Sequence, residues 1–131
     1  MSKQKKGQQN LPQVNDLYKP LIQALINLGG SGNIEEINER VYEIMNLSPE
    51  ILNIPHGTDG RTEVEYKLAW TRTFLKKYGL LNNSSRGIWA LTKANISLKD
   101  IDPSEIDKTT REKFKAKNNS EKTLKTNEIG H

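Results

Sequence analysis

The apolar positions of the chain change their spacing several times, and each change marks an element. Leu17, Leu21, Leu25 and Leu28 recur at helical spacing, which predicts a first helix, regular from about Lys19 because Pro20 is tolerated only in an opening turn. Gly29, Gly30 and Gly32 end it. Asn33 and Glu36 have the spacing of a capping box, and Ile34, Ile37, Val41 and Ile44 form one apolar stripe down to Met45, so a second helix follows. Ser48 before Pro49 sets an N-cap ahead of a proline at the first helical position and predicts one short turn over Pro49–Leu52.

The stretch NIPHGTDGR, with Pro55, Gly57 and Gly60, reads as a loop. Thr62 and Glu65 then repeat the capping-box spacing and open a helix over Glu63–Tyr78, which Gly79 terminates. At about 100° per residue, Val64, Leu68, Thr71, Phe74, Leu75 and Tyr78 share one arc of this helix. Tyr66, Ala69, Arg72, Thr73, Lys76 and Lys77 fall on the opposite side, which is basic and free of acids. The next segment, LLNNSSRGIWALT, predicts two short strands around a turn at 84–87, with Trp89 and Leu91 alternating inward against Leu81. Helix, helix, helix, hairpin is the order of a winged helix (winged helix-turn-helix), so the expected fold class is mainly α with a small β-hairpin wing. The pattern divides the chain into a disordered basic arm over 1–10, a winged-helix domain over 11–95, and a weakly helical or disordered tail over 96–131.

Charge adds a direction to this plan. The net charge is +4, but residues 33–60 carry six acids against Arg40 alone, a balance of −5. Residues 61–93 carry seven bases against Glu63 and Glu65, a balance of +5, as expected of a surface facing phosphates. No run approaches the roughly 20 apolar residues of a spanning helix, and the N-terminus lacks the apolar core of a signal peptide. With no cysteine, disulfides and thiolate zinc sites are excluded, and the expected compartment is the reducing cytoplasm.

The residues RTEVEYKLAWTRTFLKKYGLLNNSSRGIWALTKAN carry a family resemblance. A tryptophan-centred helix ending in leucine and two bases, then glycine-leucine, a turn with arginine-glycine and a tryptophan-x-leucine-threonine strand are supplied by Trp70, Leu75, Lys76, Lys77, Gly79, Leu80, Arg86, Gly87, Trp89, Leu91 and Thr92. This resembles the N-terminal domain of Mrr-type restriction endonucleases, over about residues 11–95. The resemblance implies a winged-helix specificity domain that recognises double-stranded DNA, often modified, for a separate nuclease domain. The region where a nuclease linker would begin lies near the end of the sequence, so the expectation is a module of a restriction-modification or modification-dependent system without its own cutting domain.

Arg72, Thr73 and Lys76 are the leading DNA contacts, because arginine can bond guanine's edge twice while lysine mostly neutralises phosphate. Tyr66 and Ala69 lie nearer the helix N-terminus, Arg61 and Lys77 flank the face, and Arg86 sits at the wing tip to reach phosphate or the minor groove. Trp70 and Trp89 read as packing residues. No catalytic or metal-binding residue is expected: Glu65 with Lys67, and Glu112 with Lys113 or Lys115, fall on polar helix surface rather than on a buried strand hairpin. His56 in HGTDG lacks the spacing of a phosphate loop, and no cofactor is implied. The expected partners are double-stranded DNA, together with a second copy of the chain or a separate nuclease domain or subunit. A protein–protein assembly module or a transcription regulator remains the alternative reading of the same fold.

Overall fold

The computed structural model describes residues 10–129, with the side chain of Ser84 and those from 117 onward outside the description. The basic arm expected over 1–10 lies almost wholly outside the described residues. The described residues form α1 (Val14–Asn27), β1 (Ser31–Asn33), α2 (Ile34–Met45), α3 (Pro49–Leu52), α4 (Glu63–Tyr78), β2 (Leu81–Ser85), β3 (Ile88–Leu91), a 3₁₀ turn (Leu98–Asp100) and α5 (Pro103–Ile129). The fold is mainly α with a small antiparallel sheet, an arrangement compatible with a winged helix.

The predicted caps form. Asn33 Oδ1 accepts from the Glu36 N–H at 2.8 Å and the Glu36 carboxylate accepts from the Asn33 N–H at 2.9 Å. Thr62 and Glu65 close the same reciprocal pair at 3.2 and 2.9 Å, so both helices enter with their first donors satisfied. At the far end of α4, Gly79 takes φ 108° and donates to Leu75 O and Lys76 O. Leu80 N–H also reaches Leu75 O at 2.9 Å, and this wrapped exit turns the chain directly into the hairpin.

The first two elements depart from the expectation. Helix α1 starts at Val14 and carries Pro20 inside it. The Asp16 carboxylate accepts from the Gln13 N–H at 2.9 Å and anchors the earlier start. Leu17, Tyr18, Leu21, Ile22 and Leu25 are fully buried from this helix, which outweighs the one backbone bond that Pro20 cannot donate. The glycine-rich stretch after α1 is not only a terminator. β1 pairs with β3 in the register Ser31↔Ala90, Gly32↔Trp89 and Asn33↔Ile88, giving a three-stranded order β1-β3-β2. A Cβ at Gly32 would stand 2.9 Å from Leu28 Cδ1, so a larger residue there makes the Leu28 side chain shift.

The core gathers α1, α2 and α4, with Ile37, Val41, Val64, Leu68, Leu75 and Leu81 closing on the α1 residues. It continues past residue 95. Ile101 and Ile106 are buried, at 4% and 0% exposure, where the tail was expected to be weakly helical or disordered. α5 seats on α1 and α4 through three kinds of contact. Tyr18 donates to Asp107 Oδ1 at 2.6 Å, the Phe114 and Phe74 rings meet at 5.6 Å, and Lys113 Nζ donates to Lys77 O at 2.9 Å. Burial, together with the bond to Asp107, pushes the Tyr18 hydroxyl well above its ordinary pKa. Among the described residues no helix is long and apolar enough to cross a membrane.

Candidate nucleic-acid interface

Helix α4 is covered by α1 along Val64, Leu68, Thr71 and Leu75, and the side left open is where the sequence placed its candidates. Thr73 and Lys76 are exposed, and Tyr66, Ala69 and Lys77 are half-buried at the margins of the same face. At 1.5 Å per residue the stripe from Tyr66 to Lys76 is about 15 Å long, comparable with the width of a major groove. Its middle is small: the Thr73 hydroxyl turns back to Ala69 O at 3.1 Å, leaving the methyl and an acceptor lone pair outward. The two acids of α4 are both engaged. The Glu65 carboxylate accepts from the Thr62 N–H in the cap, and Glu63 Oε2 meets His56 Nδ1 at 3.2 Å.

Arg61 lies on the loop before α4 and Arg86 on the hairpin after it. Arg61 is held by Asp59, with Nη2 and Nε at 2.8 and 3.2 Å from Oδ2, and its guanidinium lies over the Tyr66 ring at 5.3 Å. The Arg61 N–H and guanidinium hold the Asp59 carboxyl below the usual carboxylate range. Arg86 is exposed at the hairpin tip, in the two-residue turn between the paired Ser85 and Ile88. Gly87, at φ 76°, supplies the left-handed backbone of that turn. The sheet register shifts between Asn82 and Ser85, a bulge that sharpens the twist of the wing.

Arg72 is the exception. The helical wheel puts it on the open side, but it is 5% exposed. Its Nη1 donates to Asn38 Oδ1 on α2 at 3.0 Å, and its guanidinium lies 5.8 Å from the centre of the Trp89 ring on β3. Burial lowers its pKa to about 10, so it stays charged at neutral pH. Burial, helped by the neighbouring Glu65 and Glu39, pushes Tyr42 up to about 12, while the Arg72 charge works against the rise. An arginine so enclosed has no guanidinium edge to offer a base, which leaves Arg61, Thr73, Lys76 and Arg86 as exposed candidates and Tyr66, Ala69 and Lys77 as half-buried ones.

The structure adds a feature that the sequence reading passed over. His56, Tyr66, Trp70, Phe74 and Phe114 form an unbroken row of rings along α4, with successive centroids 3.7, 6.5, 5.6 and 5.6 Å apart. His56 lies flat on Tyr66, tying the loop before α4 to the helix. Trp70, at the centre, is 40% exposed. Lys77 Nζ stands 5.0 Å from the Phe114 ring at the far end. The signal was present in the spacing of Tyr66, Trp70 and Phe74, each four residues from the next and therefore aligned on one side of a helix.

A helical body with an open basic helix face and a hairpin beside it defines the class of a small winged-helix-like domain, and among the described residues no group of three or more His, Asp or Glu side chains gathers as a metal site would. The family model of the Mrr N-terminal domain matches residues 15–100. The chain belongs to that family, a domain family associated with restriction systems. No curated protein and no solved structure matches it.

Proposed function

We propose that the domain binds double-stranded DNA through the open face of α4 and the wing, serving as the specificity module of a restriction system and leaving cleavage to a separate nuclease domain or subunit. The observation that carries this reading is the open face itself. Cations stand at its margins, Ala69 and Thr73 keep its middle small, and its two acids are engaged at the N-terminal end. Lys76, Lys77, Arg61 and Arg86 supply the phosphate contacts, while Tyr66, Ala69 and Thr73 meet base edges. With Arg72 buried, α4 itself presents no arginine to the groove, so the base contacts rest on hydroxyls and methyl groups, which suits a thymine methyl or a modified base. Neutralising about four phosphates gives a slope of log K against log salt of roughly −4. A fluorescence titration on paired modified and unmodified duplexes measures both slope and preference. No binding at low salt, or binding indifferent to salt, would sink the reading.

A second reading has its own observation. The exposed Trp70 in a continuous ring row is what a protein-docking helix presents. Trp70→Ala separates the two: lost self-association or partner capture with duplex affinity unchanged favours assembly.

A further inference from the structure

We propose that Arg72 is a positioning residue that clamps α2 and the wing to α4, so that Arg86 reaches the duplex only while the clamp holds. For its functional half the proposal rests on the DNA-binding reading above. The structural half stands on the contacts alone.

Arg72 joins three elements from a buried position. It leaves α4, donates to Asn38 on α2 and lies against Trp89 on β3. These contacts close a circuit. Asn38 follows β1 by one turn of α2, and β1 pairs with β3 at the residue that Arg72 covers, Gly32 opposite Trp89. β3 is the middle strand, and its first residue, Ile88, closes the hairpin that carries Arg86. Holding Trp89 therefore fixes the base of the wing relative to the open face of α4.

The chemistry of the residue argues against a plain filler. Its Nε is buried with no hydrogen-bond partner, and the ion pairs of the described residues do not include it. For stability alone, an apolar side chain of similar size serves as well or better at such a site. A guanidinium does what an apolar chain or a lysine cannot: its fork bonds one element while its flat face lies on an aromatic ring of another. Asn38 matches it, a neutral acceptor at 7% exposure that orients the fork without a charge of its own.

The full-length double variant Arg72→Met/Asn38→Leu removes the clamp and leaves neither partner orphaned. Hydrogen exchange is the deciding readout: amides of β2 and β3 exchange about tenfold faster while those of α1 keep their protection. Trp89→Leu, which removes the ring and keeps the Arg72–Asn38 bond, is the second variant and gives the same pattern. In duplex titrations Arg86→Ala weakens the native protein several-fold and leaves the double variant unchanged, a non-additivity expected only if one residue acts through the other. Unchanged exchange in the hairpin, equal loss of protection in α1 and hairpin, or a full Arg86→Ala effect in the double variant overturns the proposal. If the native chain binds no duplex at low salt, the DNA-binding reading fails, and the exchange comparison still decides the clamp.

Discussion

At the scale of single residues, the pairing of Asp59 with Arg61 sets up a competition. The carboxylate holds the guanidinium that, in the proposed DNA-binding reading, meets phosphate beside the N-terminus of α4. Because the folded-state pKa of Asp59 is depressed, its small stabilising contribution is present above the unfolded value and is lost as pH falls through the folded one. Arg61→Ala keeps the backbone N–H that lowers Asp59 most and removes the guanidinium, so the carboxyl pKa rises only part of the way in an NMR titration. Asp59→Asn frees the arginine and steepens the salt dependence of duplex binding by about one unit. Arg72 shows why residue-level reading stops where it does. It stands only about 40° around the helix from Lys76, and periodicity ranks both as lying off the apolar arc. The difference is that α2 covers one and not the other, and a helix's own spacing does not encode which neighbour lies along its flank. By contrast, Thr73, Lys76 and Arg86 are exposed as the pattern required, since no other element packs over them.

At the scale of elements, what was legible was local. Capping boxes at Asn33 and Thr62, the Ser48–Pro49 start and the Gly79 exit depend on residues within a few positions of one another, and each formed as the spacing required. β1 and the packing of α5 were not legible, because their stabilisation comes from far along the chain. β1 exists through its register with β3, and a three-residue strand of serine, glycine and asparagine has no propensity to announce it. α5 has a sparse stripe, yet Ile106 fills the core and Asp107 meets Tyr18 across 89 positions. The packing makes a measurable claim: Ile106→Ala leaves a cavity beneath α5 and costs about 2–5 kcal/mol, the range for a buried isoleucine. Urea unfolding followed by circular dichroism reads it, and a cost below about 0.5 kcal/mol would mean that α5 is a passenger.

At the scale of the whole molecule, charge is divided between neighbouring helices rather than mixed over the surface. The exposed side of α2 carries Glu35, Glu36, Glu39 and Glu43 with Arg40, which pairs with Glu43 at 3.5 Å. α4 carries Lys76 and Lys77 in its last turn. Each distribution also suits its own helix dipole in part, with acids in the first turns and bases in the last turn of α4. The dipole does not account for Glu39 and Glu43, which lie beyond the first turn of α2. Their effect on a polyanion is repulsion, so they disfavour docking poses that bring α2 to the phosphates, in keeping with the approach by α4 proposed above. The triple variant Glu35→Gln/Glu39→Gln/Glu43→Gln keeps the fold, since all three side chains are exposed. It binds random duplex more tightly, by about two- to fivefold in 50 mM salt, and loses that advantage in 0.3 M salt as screening shortens the range of the field to a few ångströms. Preference between duplexes narrows over the same range, because the repulsion acts on wrong poses more than on the right one. An unchanged low-salt affinity in the variant would mean that the acidic helix lies too far from the duplex to steer it.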